Sequence, residues 1–154
     1  MLESNKKKFN HLKIHTQYSI CEGAIKIEDL KNYCKQKKIP CLGVSDTSNL
    51  FGALEFAENI SKVGTQPVIG TQINFRFEET TGLLPLIALN ENGYKKIIEL
   101  SSRSYLENDA LSEPHLDIKE LFKDMEGVVL LSGTIQGFFG KLFEKGKFEE
   151  IVNL

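Results

Sequence analysis

Two runs of the sequence, "CLGVSD" (41–46) and "GVVLLSG" (127–133), are almost unbroken in apolar residues. A strand with water on one face alternates apolar and polar side chains, whereas a near-continuous run needs cover on both faces. Helical stripes lie between such runs. Ile27, Leu30, Tyr33 and Cys34 recur at three- and four-residue spacing, which predicts an amphipathic helix over 27–37 with a lysine-rich outer face, ended by Pro40. Leu50, Leu54, Ala57 and Ile60 predict a second helix that stops near Gly64, and "QPVIG" (66–70) follows as another strand. Strand, helix, strand, helix, strand is the order of a parallel α/β sheet with right-handed crossovers.

The remaining elements fit around that frame. "HLKIH" (11–15) reads as a short first strand. "INFRF" (73–77) and "LLPLIAL" (83–89), joined by a turn over "EETTG" (78–82), read as a hairpin. A helix is predicted from Tyr94 to Tyr105 with Ile97, Ile98 and Ser101 inward. A short helix follows over Ile118–Asp124, and two short helical pieces lie in "FFGKLFEKGKFEEIVNL". The 154 residues have the length of one domain. Residues 1–8, with Lys6–Lys8, read as a solvated tail, and 9–154 as the folded part.

Composition narrows the function. Hydrophobic residues make up 41% and charged residues 26% of the chain, with a net charge of −2. That is ordinary for a soluble globular protein and lacks the basic excess of a free-standing nucleic-acid binder. Cys21, Cys34 and Cys41 are odd in number and form no CxxC pair, which fits reduced thiols in a cytoplasm. No apolar run approaches the roughly 18 residues a membrane span requires, and no secretory signal is present. A cytoplasmic protein without a membrane partner is expected.

Polar residues gather where the predicted strands end: His15, then Asp46 and Thr47, then Thr71 and Gln72, then Ser132 and Thr134. Chemistry in β/α architectures collects at such ends. Strand alternation places His11, Lys13 and His15 on one side. His11 and His15 with Glu22 look like the start of a metal site, yet Lys13 carries a charge that a metal ion would repel. The residues alone leave open a metal centre, the remains of one, or neither. His11 is expected to be structural, Cys21 packed, Tyr18 and Ser19 to order the loop, and Asn49 to cap a helix starting at Leu50.

Five blocks in order, "HLKIHTQYS", "GVSDTSNLFGALEF", "PVIGTQINF", "ALNENGY" and "EGVVLLSG", resemble the N-terminal PHP (polymerase and histidinol phosphatase) domain of bacterial DNA polymerase III alpha subunits. The resemblance runs from Phe9 to about Glu150. It implies an α/β fold: part of a distorted, TIM-like β/α barrel with mostly parallel strands and one hairpin. In metal-competent members, ligands come from HxH, an acidic residue in the next loop, a DH pair, a Glu after the third strand, and later His, Cys and Asp residues. His15, Glu22 and Asp46 match in type. Lys13 stands in the place of the first His of HxH, Thr47 in that of the His of DH, Gln72 in that of the Glu, and Thr134 in that of a Cys. Leu83 aligns with a later His. The resemblance therefore implies vestigial metal positions at Lys13, His15, Glu22, Asp46, Thr47, Gln72 and Thr134, with no catalytic residue and no metal expected. Lys13 is expected to replace the metal's charge by pairing with Glu22, Asp46 or both.

The same resemblance implies a fragment of a longer replicative subunit, inactive alone, whose magnesium-dependent polymerase chemistry lies elsewhere in the parent chain. Its expected partners are the rest of that alpha chain and the epsilon proofreading exonuclease, with DNA reached only through the parent. The implied role is a structural and interaction module that docks the exonuclease. The alternative is a metal-dependent phosphoesterase or 3′–5′ exonuclease running on a reduced site of His15, Glu22 and Asp46.

Overall fold

The computed structural model describes residues 9–153, so the tail expected over 1–8 lies outside the described residues. The order is α1 (Ile27–Lys37), β1 (Cys41–Thr47), α2 (Ala53–Ser61), β2 (Gln66–Phe77), β3 (Thr80–Ala88), α3 (Glu91–Leu106), β4 (Leu116–Asp117), α4 (Ile118–Phe122), β5 (Val128–Leu130), α5 (Phe138–Glu144) and α6 (Phe148–Asn153). One sheet runs β1-β2-β3-β5, with β4 also paired to β2. β1 and β2 are parallel, β2 and β3 form the antiparallel hairpin, and β3 and β5 are antiparallel. Four strands thus share one direction and β3 alone is reversed. Phe75 pairs with Gly82 on one edge and Leu116 on the other, so β4 continues the edge that β1 leaves free beyond Gln72.

The apolar periodicity sets which face each strand buries. Leu42 and Val44 of β1 pack against Ile27, Leu30 and Cys34 of α1 and Phe56 and Ile60 of α2. Ile73 and Phe75 of β2, with Leu84 and Leu86 of β3, pack against Ile97 and Leu100 of α3, Ile118 and Leu121 of α4 and Phe138 of α5. The helices α1 and α2 cover one half of the sheet's outer face, and α3 with α4 the other. Burial of the Cys34 thiol in the first of these cores pushes its pKa up.

Several elements differ from the sequence expectation. Residues 11–15 do not form a full strand. They touch β1 through an isolated parallel bridge, Ile14 to Val44, and through Gly43 and Ser45 N–H groups donating to the His11 and Ile14 carbonyls at 2.7 and 2.8 Å. The strands expected at 66–70 and 73–77 are one continuous strand, so Thr71 and Gln72 lie within β2 and not past its end. Helix α2 starts at Ala53, and Asn49 instead braces the turn before it: its Oδ1 accepts the Phe51 N–H at 3.1 Å. α3 starts at Glu91, capped by Asn90, whose side chain accepts the Gly93 N–H at 2.9 Å. Its inward stripe is Gly93, Ile97, Leu100 and Ser104, and Ile98 faces outward. β5 covers only three residues of the expected run. Cys21, expected to be packed, is exposed.

Candidate functional site

Because Ile14 sits beside Val44, alternation sends Lys13 and His15 to the opposite side of the segment, away from the helices. There they line a cleft of about 300 Å³ together with Glu22, Gln72, Leu83 and the loop residues Gly133, Thr134, Gln136 and Gly137. Lys13, His15, Glu22, Gln72, Leu83 and Thr134 all meet in this one depression. They come from four separate parts of the chain: the first segment, the loop after it, the β2–β3 hairpin and the loop between β5 and α5. Thr47 stands beside the cleft, where its hydroxyl donates to Glu22 Oε2 and accepts from the Gln72 amide at 3.0 Å. That amide nitrogen also lies 3.4 Å from His15 Nε2. Among the described residues, His15 Nδ1 and Ser45 Oγ are buried with no hydrogen-bond partner.

Asp46 lies apart from this cleft. It has the parity of Leu42 and Val44, so its side chain is on the helix side, only 3% exposed. The Thr16 N–H donates to Oδ1 at 2.6 Å, the Thr16 hydroxyl to Oδ2 at 2.7 Å, and the Ser19 hydroxyl to Oδ1 at 2.6 Å. Ser19 Oγ in turn accepts the Thr47 N–H at 3.1 Å. Neutral donors therefore balance the carboxylate, and Lys13, exposed at the cleft, is not its partner. Among the described residues Lys13 makes no ion pair with Glu22 either. The expectation of a Lys13–Asp46 pair is corrected by this geometry.

Supporting contacts hold the loop in place. Thr71 Oγ1 donates to the Asp46 and Asn49 carbonyls at 2.7 and 2.9 Å, and Asn49 Nδ2 donates to the Tyr18 and Thr47 carbonyls, both at 2.9 Å. Tyr18 and Ser19 do order the loop. The Tyr18 hydroxyl donates to Glu55 at 2.7 Å, and that hydrogen bond to a carboxylate holds the phenol's pKa above its usual value. His11 packs edge-on against Phe9, 4.9 Å between ring centroids, outside the cleft. Among the described residues no group of three His, Cys, Asp or Glu side chains is placed to hold a metal ion. Thr134 was singled out in the sequence, but Thr16, Gln136 and Gly137 were not. The spaced glycines of "SGTIQG" were the signal that a turn approaches the strand ends.

Comparison with known proteins bears on this geometry. The family model described as "PHP domain" matches residues 11–154. A DNA polymerase III subunit alpha from Caulobacter vibrioides is 36% identical over 159 aligned residues, covering 97% of this chain and 14% of the relative. One from Rickettsia felis is 35% identical over 134 residues, covering 86% of this chain and 11% of the relative. The chain thus spans a small part of the length of these curated relatives. Among solved structures, an amidohydrolase from Chromobacterium violaceum aligns with 61% of this chain and 34% of its own at a TM-score of 0.47 and 13% identity.

Proposed function

The chain belongs to the PHP domain family, and from that premise we propose that it serves as the N-terminal PHP portion of a DNA polymerase III alpha subunit. In this reading it acts in DNA replication as a structural and interaction module on which the proofreading exonuclease docks. The observation that carries it is 36% identity to such a subunit across 97% of the chain. An outer strip of exposed apolar side chains supports an interaction role: Phe51 is 76%, Leu54 70% and Leu89 67% exposed, with Ile98 and Tyr105 beside them.

We further propose that the cleft is a vacated metal site. A metal centre of this type needs at least three strong donors. The cleft offers one imidazole, His15, and one carboxylate, Glu22, beside an ammonium, two amides and a hydroxyl. Asp46 is committed to Thr16 and Ser19. This donor set does not fit a cluster of divalent cations.

Three measurements test these readings and their alternative. The purified chain should co-elute with the purified epsilon exonuclease in the presence of chelator; absence of a complex overturns the docking role. The triple variant K13H/T47H/Q72E should gain a manganese- or zinc-dependent rise in melting temperature, since a ligand at a hundred times its dissociation constant stabilises by about 2.7 kcal/mol. Metal-dependent hydrolysis of a phosphomonoester or a 3′-labelled oligonucleotide by the unaltered chain, lost in His15→Ala, would establish the phosphoesterase or exonuclease alternative instead.

A further inference from the structure

Two depressions lie end to end between α2 and α3, on the outer side of the sheet. One, of about 520 Å³, sets Leu54 and Ala57 of α2 against Glu91 and Tyr94 of α3. The other, of about 380 Å³, sets Leu50 and Phe51 against Ile98 and Tyr105. The facing residues run in opposite senses along the chain. Glu91, Tyr94, Ile98 and Tyr105 follow one another at helical spacing, so they form a single stripe along α3. The two depressions are therefore one groove, roughly 21 Å long at the helical rise over that stripe.

The packing explains why it stays open. α2 puts Phe56 and Ile60 into a core with α1, and α3 puts Ile97 and Leu100 into a core with α4. The two cores share no buried residue, and Pro67, Ile69 and Ala88 of the sheet line the seam between them. The walls remain apolar out to solvent: Ile98 is 40% and Tyr105 52% exposed, opposite the more exposed Phe51 and Leu54. The Tyr105 hydroxyl donates to the Ser48 carbonyl at 2.9 Å, which holds that ring in position. Charge along the groove is one-sided. Glu55 and Glu58 flank Leu54 on α2, and Glu58 makes no ion pair among the described residues. On α3, Glu91 is paired with Lys95 at 2.6 Å.

We propose that this groove docks an amphipathic helix of a partner protein, about four turns long, apolar on one face and with Lys or Arg on the flank beside α2. A helix of that length matches the groove and fills it with side chains at i, i+3, i+4 and i+7 spacing. An extended segment would need a free strand edge, whereas both walls here are helices whose backbone groups are already bonded. Basic side chains on one flank meet Glu55 and Glu58. The inference rests on the reading of this strip as an interaction surface, and does not require the exonuclease to be the partner.

The probe is a fluorescein-labelled helix of about 14 leucine and lysine residues, with leucine at the spacing above, titrated with the dilute chain and followed by anisotropy. Saturable binding is expected, with amide shifts of the isotope-labelled chain confined to residues 50–58 and 91–105. A glutamate-for-lysine version of the peptide should bind at least about tenfold more weakly. Leu54→Ser, and on the opposite wall Ile98→Ser, should each weaken the leucine–lysine peptide about tenfold, the loss expected for one buried aliphatic side chain. Both side chains are exposed, so neither change should disturb folding. Glu58→Lys should weaken binding several-fold at low salt and less at high salt. Equal binding of a scrambled peptide with no apolar face overturns the proposal. So does binding unchanged in both serine variants, or shifts centred elsewhere. Exonuclease that co-elutes equally with Leu54→Ser docks on another surface and leaves the groove's specificity for the peptide standing; loss of that specificity leaves co-elution untouched.

Discussion

The carboxylate of Asp46 receives both the backbone N–H and the hydroxyl of Thr16, at 2.6 and 2.7 Å. This two-point contact joins the end of β1 to the start of the 16–25 loop, across 30 residues of sequence. The loop is thereby fixed where Glu22 and Thr47 meet. Gly23 marks how closely it is drawn in, since a Cβ there would stand 2.1 Å from the Thr16 carbonyl oxygen.

Asp46→Asn should therefore destabilise the chain by about 3 kcal/mol. The amide keeps one acceptor oxygen but turns an NH2 group toward donors, stranding Thr16 or Ser19 inside the fold. Thr16→Val, which removes one hydroxyl and keeps the backbone contact, should cost about 1–2 kcal/mol. Denaturant unfolding of the two variants measures both; equal stability of Asp46→Asn and the parent would show that the contact carries no net energy.

Lys13→Met should change stability by less than about 0.5 kcal/mol, because Lys13 is exposed and no buried carboxylate depends on it. Combined with Asp46→Asn, the two effects should add. A coupling energy above about 1 kcal/mol in that double-mutant cycle would restore the charge-replacement role that the sequence suggested.

The separation of Asp46 from the cleft was in fact legible. Asp46 shares the parity of Leu42 and Val44, and Thr16 that of Ile14, so alternation alone sets both on the helix side and His15 on the other. The family motif drew attention to residue types and obscured the faces. The 66–77 strand was harder. Its first half is a continuous apolar run beside β1, and its second half alternates beside β3, so the change of cover looked like a break. Gly70 reinforced that impression, yet it is needed for close approach: a Cβ there would lie 2.4 Å from the Leu86 carbonyl oxygen. The first segment misled in the opposite sense. "HLKIH" has the pattern of a strand, but pattern does not count backbone bonds, and only two N–H groups of β1 reach it. α1 read correctly in its bounds because local spacing alone sets its buried stripe of Ile27, Leu30 and Cys34, although Tyr33, predicted to share that stripe, is 43% exposed.

Acid sensitivity should pass in part through Glu120. The hydrogen bonds from Lys123 and then Arg103 hold its carboxyl pKa below the usual value. A carboxyl whose folded pKa is depressed adds stability above its unfolded pKa and loses it as pH falls through the folded one. The stability gap between the parent and Glu120→Gln should thus be widest near neutral pH and close progressively in the acid range. The check is unfolding of both proteins from pH 7 to pH 2.5; a gap that stays constant, or widens in acid, would refute the assignment.

The open sheet should make the 154-residue chain self-associate. β5 pairs with β3 on one edge, and among the described residues no strand lies on its other edge, so the outward Leu130 N–H and C=O are available to another chain. Around the sheet, Phe51, Leu54 and Leu89 expose apolar surface that a compact monomer normally covers. Sedimentation over a concentration series should show mass above the 17.4 kDa monomer, together with binding of a hydrophobic dye. Two substitutions separate the causes. Leu130→Pro removes the outward N–H at the β5 edge, since Leu130 faces Leu86 in a non-hydrogen-bonded pair, and Leu54→Glu places a charge on the apolar strip without altering any strand. If edge pairing dominates, Leu130→Pro alone should restore the monomer while dye binding persists. If the strip dominates, Leu54→Glu should reduce both together. A parent chain that stays monomeric at every concentration, binds no dye and unfolds cooperatively would show that neither the edge nor the strip drives association.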